Sequence, residues 1–334
     1  MRDRILENLG KHQIRSVEKA LLDDLPQEQR ILTEKLILPH QEEIVADVRE
    51  LRTRVDEYFS NDAKIQKLAS EGRPYPIGQC RPIRDQILKR IIANRDPSKL
   101  GLVAIAEFVK RGGVVSPFWA IWDGKYFQNA IQLGTAILDA AYNTIDPQED
   151  PVVFFPSIPE SSFERIKSFE QIASIAESYW GYDIYPNVFR PDLAPIFPIM
   201  AVAKSMDSDS QMELRLLVNA KVLARANMES QHDGMRCGLA HQFITESPYS
   251  KKPFPPEYVE AAIKAAGLTS HQGLFVRRGG NVYLPAINSL ALRESFGRLK
   301  ISGSQGELVS HIKLLQAMET QGNKFIEKPL AILS

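Results

Sequence analysis

Residues 114–134, VVSPFWAIWDGKYFQNAIQLG, set Asp123-Gly124 between two aromatic-rich runs. Asp-Gly is the strongest short hairpin signal, because the turn that matches strand twist needs positive φ at both central residues. A β-hairpin is therefore expected here. In the continuation, TAILDAAYNTID, a third strand is one reading, while Phe127, Ala130, Ile131, Leu138 and Ala141 also fit helical spacing, so 125–145 is open between strand and helix.

Upstream the texture is helical from His12 to Leu68. Ile44, Val48, Leu51, Val55 and Tyr58 recur at spacings of four and three, while Glu42, Glu43, Asp47, Arg49, Glu50, Arg52 and Arg54 fall elsewhere, as in an amphipathic helix. Pro26 and Pro39 suit first helical positions, where proline removes no helical bond. Residues 1–72 thus read as a helical hairpin or bundle, free to pack on the body or to dock a protein partner. EGRPYPIGQC breaks the pattern. Pro82 then fits the first turn of a helix with the stripe Ile83, Ile87, Leu88 and Ile91, ending near Asn94. A second helix is expected from Lys99 to Lys110, with Ser98 as N-cap and Gly112-Gly113 as stop.

Downstream, DPQEDPVVFFPSIPESS reads as a proline-punctuated link near residue 150. A helix from Ser162 to Tyr179, an irregular segment from Trp180 to Pro198 and a long helix from about Ser208 to Glu229 follow in expectation. The last part predicts a helix at Glu257–Ala266, a hairpin in GLFVRRGGNVYLP, a helix around Ile287–Phe296 and a final helix opened by the capping-box pattern Ser304 to Glu307. The class is α+β and helix-rich: an N-terminal helical region (1–72), an α+β core (73–150), a helical region (151–250) and a helix-hairpin-helix unit (251–334).

A chain of 334 residues exceeds the usual single core. Lys+Arg and Asp+Glu balance at 41 each, which argues against nucleic-acid binding, and Arg277-Arg278 in a Gly-Gly-Asn turn do not overturn that. Two cysteines cannot form a disulfide framework and imply a reducing, cytoplasmic setting. The opening residues lack an apolar signal-peptide core, and LAPIFPIMAVA is too short for a membrane span. Phosphate-loop, dinucleotide, serine-hydrolase and zinc-protease motifs are all missing, so no cofactor is expected.

Cys80 lies just ahead of the Ile83 helix, beside Arg81 and Arg84. A helix N-terminus and guanidinium groups favour the reactive thiolate, whereas a packed cysteine acts as a small apolar filler. A cysteine opening a helix, followed by the hairpin FWAIWDGKYF and an acidic residue such as Asp139 in AILDAAYNT, is similar to the core layout of papain-like and transglutaminase-like thiol enzymes. The resemblance spans about 60 residues and implies a nucleophile at Cys80. VVSPFWAIW carries no histidine where the transglutaminase-like pattern has one.

The leading expectation is a cysteine-dependent acyl-transfer or amide-hydrolysing enzyme for a small-molecule or peptide substrate. Cys80 would attack, His241 or His232 would serve as base, and Asp139 or Asn143 would orient it. Arg81, Arg84, Arg236, Trp119 and Trp122 would line a ligand site. The rival is a non-catalytic interaction protein using its N-terminal helices. A third reading takes His232, Cys237 and His241 in QHDGMRCGLAHQF as metal ligands, although their spacing also fits a helix end and turn.

Overall fold

The computed structural model describes residues 21–70, 74–186, 198–203, 214–216, 242–254, 276–278 and 281–283. Two compact units divide the chain, Met1–Arg165 and Ile166–Leu333. In the first, Pro26 precedes α1 (Gln27–Leu36), and Pro39 lies in a 3-10 turn, Leu38–His40, ahead of α2 (Gln41–Ser60). Three further helices follow: α3 (Ala63–Ser70), α4 (Cys80–Ala93) and α5 (Leu100–Lys110). Five antiparallel strands complete the unit: β1 (Val115–Trp122), β2 (Tyr126–Leu133), β3 (Ala136–Asp139), β4 (Val153–Phe155) and β5 (Phe163–Glu164), in the order β4-β3-β2-β1-β5.

The expected α+β class holds. Asp123 and Gly124 take φ of 52° and 65°, and the Lys125 amide closes the turn on the Trp122 carbonyl at 3.1 Å. The segment left open over 125–145 supplies strands β2 and β3. β4 falls inside the segment read as a mere link, its Val153–Phe155 pairing with Ile137–Asp139.

One sheet face, with Ile131, Leu133, Ala136 and Leu138, packs under Ile44, Val48, Val55, Ile83, Ile87, Ile105 and Phe108 of the helices. Phe118, Ala120, Ala130, Ile137 and Phe163 form the other face with Leu21. Strand alternation makes this possible, and each aliphatic side chain so buried stabilises the fold by about 1.5–3 kcal/mol.

Two helical expectations need correction. On α2 the buried row is Ile44, Val48, Arg52, Val55 and Phe59, while Tyr58 is 52% exposed and Leu51 only half-buried. Arg52 displaces the expected face because its guanidinium supplies donors that strand-end carbonyls lack, a role that its charge conceals in a polarity pattern. On α5 Ser98 is not the cap. Its hydroxyl bonds Asp96, and Asp47 of α2 instead accepts from the amides of Gly101 (2.9 Å) and Leu102 (3.3 Å).

That cap works because α5 crosses α2 backbone to backbone. A Cβ built on Gly101 would lie 2.4 Å from the Ile44 nitrogen. Gly101→Ala should therefore destabilise the unit by about 2 kcal/mol despite better helix propensity. Chemical denaturation would read this, and an unchanged midpoint would mean that the crossing can open.

In the second unit, α6 (Phe169–Trp180) starts seven residues after the expected Ser162, because Ser168 and Gln171 form a reciprocal capping box there. Gly181, at φ 68°, ends it. The supposedly irregular segment contains β6 (Tyr182–Pro186), which pairs with β7 (Ile199–Ala203). Leu214–Leu216, expected inside a long helix, form β8 on the far side of β7. Apolar residues two apart beside an apolar strand suit pairing better than a helix. Residues 242–246 are helical, a 3-10 turn covers Pro248–Lys251, and a small sheet has the order β10-β11-β9: β9 (Pro253–Phe254), β10 (Val276–Arg278) and β11 (Asn281–Tyr283). The expected C-terminal hairpin is thus present, while the helices expected at 257–266, 287–296 and beyond 304 lie outside the described residues. Among the described residues no helix is long and apolar enough to cross a membrane.

Candidate functional site

The loop before α4 is pinned to the strand end after β3: the Gly78 amide donates to the Thr144 carbonyl at 3.1 Å, and Gly78 has φ 71°. Gln79, at the N-cap, makes no side-chain cap bond, and Cys80 is the first residue of the helix. α4 lies on β1 and β2 by the stripe Ile83, Ile87, Leu88 and Ile91, as expected.

The residue that meets the sulfur is Asn129 of β2. Its Nδ2 donates to Cys80 Sγ at 3.2 Å, while its Oδ1 accepts from Arg84 Nη1 at 2.5 Å. Arg84, 2% exposed, also donates to the Phe118 carbonyl and forks onto Asp85 Oδ1 at 3.0 and 2.7 Å. A single chain of hydrogen bonds therefore runs from thiol to amide to guanidinium to carboxylate. Its members polarise one another, and each satisfies the next in a place where a lone polar group would be costly.

Cys80 is half-buried as a residue, with its sulfur enclosed by protein. Burial pushes the thiol above its ordinary range. The Asn129 bond and the Arg84 charge pull it down by less, and Asp139 adds to the rise. These surroundings disfavour the expected thiolate. Desolvation opposes the charged form, and the guanidinium expected to stabilise it is spent on Asp85, Asn129 and a carbonyl. Arg81 lies 3.9 Å from Asp85 in the same turn.

Asp139 is fully buried on β3. Gln128 Nε2 donates to its Oδ2 at 2.9 Å and the Ala141 amide to its Oδ1 at 2.8 Å, yet burial pushes its carboxyl up to about 7. It does not meet the sulfur: Leu138 packs toward the helices, so its neighbour Asp139 faces the other way, with Gln128, while Asn129 faces Cys80. Trp119, opposite Asn129 in the register, is buried and stacked on Phe127 at 4.5 Å. Trp122 is half-buried near the hairpin turn.

His232, Arg236, Cys237 and His241 lie outside the described residues. Among the described residues His40 is the one histidine, and no group of three His, Cys, Asp or Glu could hold a metal ion. Asn143 Oδ1 and Gln79 Oε1 are buried without partners.

Sequence reasoning found Cys80, Arg84 and Asp139 but missed Asn129, Gln128 and Asp85. The signal was available: Gln128, Asn129 and Gln132 interrupt an otherwise apolar hairpin strand, and polar residues in a buried strand are there to bond something. No protein-family model, curated protein or solved structure matches the chain.

Proposed function

We propose that this chain is a non-catalytic interaction protein that docks a protein partner through the exposed face of α5, in the α+β core, and not through the helices of residues 1–72 first expected to do so. The observation that carries this reading is the carboxamide of Asn129 at the sulfur. An amide cannot take a proton from a thiol, and a nucleophilic cysteine needs either a base or a lowered pKa. Asn129 is no base, and although its bond pulls the thiol down, burial outweighs it, so the surroundings favour the neutral form.

For docking, α5 offers a stripe away from its buried side. Leu100 (56% exposed), Val103 (41% exposed) and the exposed Ala106 recur every third residue. Exposed apolar rows on a rigid helix suit helix-in-groove or helix-on-helix partners. Arg52, first assigned to the outward face, is buried and takes no part.

The test is the pH dependence of iodoacetamide modification of native protein, read by mass spectrometry at Cys80 and Cys237. Cys80 should modify slowly, with a midpoint above the ordinary thiol value near 8.5. A midpoint well below that value would restore the acyl-transfer reading and make His241→Ala the next variant. In parallel, Leu100→Glu with Val103→Glu should abolish partner capture by the tagged full chain, and Cys80→Ser should preserve it.

A further inference from the structure

The exposed face of α5 is apolar and graded by size. Leu100 is 56% exposed, Val103 41%, and Ala106 is exposed as well, so a large, a medium and a small side chain follow one another at every third position. The opposite side of the helix, with Gly101, Leu102, Ala104, Ile105 and Phe108, is buried. Gly101 meets the α2 backbone there, so the helix is held in place before anything docks on its outer side, which removes much of the ordering cost of binding.

The rim of this face is balanced in charge. Lys99 is paired with Glu50 and lies 3.7 Å from Asp47, while Glu107 meets Arg111 at 2.7 Å and Lys110 at 3.3 Å. A strongly acidic or basic partner would have to break these pairs to gain from them, so the face selects an apolar helix with a neutral rim. The whole chain is neutral too, with 41 Lys+Arg against 41 Asp+Glu, and two copies therefore approach without long-range repulsion.

We propose that α5 docks on α5 of a second copy of this chain, the two helices crossing antiparallel on a two-fold axis at Val103. Such an axis sets one surface patch against itself, and in an antiparallel pair the residues whose numbers share one sum stand opposite each other. With Val103 on Val103 of the other copy, Leu100 stands against Ala106, a large side chain against a small one, and Lys99 against Glu107. The neighbouring registers fail on charge: Leu100 on Val103 would set Asp96 against Glu107, and Val103 on Ala106 would set Lys99 against Lys110. Lys99 and Glu107 already have partners in their own copy, so the pair between copies fixes the register and adds little affinity. An 11-residue helix is about 16 Å long, which puts the contact at the low end of interface sizes, and the dimer dissociates on dilution. The dimer rests on the α5 reading above and gives it a partner.

The experiment is sedimentation equilibrium of the full chain over a wide concentration series. The average mass should climb toward twice that of one chain, and Leu100→Glu with Val103→Glu should hold it at one. Glu107→Lys, which sets like charges against each other across the axis, should weaken the dimer severalfold. If the double variant melts early, Val103→Lys, with two ammonium groups on the axis, replaces it. For the register, Leu100→Cys and Ala106→Cys proteins mixed under oxidised glutathione should form more disulfide-linked dimer than either alone, with the wild type as control for Cys80 and Cys237. A wild type that stays single throughout, a dimer that the α5 variants leave intact, or Leu100→Cys linking to itself in preference to Ala106→Cys would overturn the proposal. A single wild-type chain that still captures a different protein through Leu100 and Val103 would remove the dimer and leave the α5 reading standing. Mass and capture both indifferent to these residues would remove the two together.

Discussion

Asp139→Asn is expected to abolish a loss of stability that the wild-type protein undergoes between about pH 4 and pH 7. Burial raises the folded-state pKa of Asp139 from 3.8 to about 7, so in that window the folded protein holds a proton that the unfolded chain has released. Stability from this group is complete below pH 4, falls as pH rises and is gone above 7. The span corresponds to about 4 kcal/mol at 1.36 kcal/mol per unit. Asparagine keeps Oδ1 as acceptor for the Ala141 amide, but its Nδ2 faces Gln128 Nε2, which also donates to the Ala141 carbonyl at 2.9 Å, so the variant carries a cost that does not vary with pH. Glu50, Asp96 and Glu107 act in the opposite sense, since Lys99, Ser98 and Arg111 hold their carboxyls below the usual range. Only the difference between variant and wild type isolates Asp139. Urea denaturation at half-unit steps from pH 4 to 8 measures it, and parallel curves would refute a raised carboxyl.

The hairpin was legible because its turn chemistry is local: Asp123 and Gly124 are chosen for backbone angles that neighbours do not alter. The start of α4 at Cys80 was legible for the same reason. What polarity patterns could not yield were the polar groups that face inward. Arg52 counts as charged and so was placed in solvent, although three protein acceptors more than replace water. Asp47 caps a helix more than fifty residues away, and no spacing rule connects the two. β8 and β6 were lost because pairing with β7 decides them, a tertiary choice that overrides local propensity.

The same limit governed the site. Cys80 at a helix start beside arginines suggested an activated thiol, and position was read correctly, but reactivity depends on what the sulfur touches. Asn129 sits 49 residues away, on the face that strand alternation turns toward α4. Its neighbour Gln128 holds Asp139 on the other face. One-residue alternation in β2 thus keeps the thiol and the carboxyl in separate networks.

Arg52→Met should lower stability by about 4 kcal/mol, among the largest effects available in the first unit. Arg52 is 1% exposed and its Nη1 donates to the Ala140 carbonyl at 2.7 Å and the Pro151 carbonyl at 3.4 Å, while Nε meets Asp56 at 2.7 Å. Methionine fills much of the volume but strands both carbonyls, each costing about 1–3 kcal/mol when buried without a donor. Asp56 loses less, because it is 40% exposed and keeps the Tyr75 hydroxyl as donor. Asp56→Asn should therefore cost about 1 kcal/mol, and the two changes together little more than Arg52→Met alone. The guanidinium also lies 6.0 Å from the Tyr75 ring, in the loop that delivers Cys80 to the start of α4. Loosening that loop should speed iodoacetamide modification of Cys80 in Arg52→Met while its pH midpoint stays high. Faster reaction with an unshifted midpoint would mean that access had changed and acidity had not, whereas an Arg52→Met protein as stable as wild type would show that α2 is held by its apolar row alone.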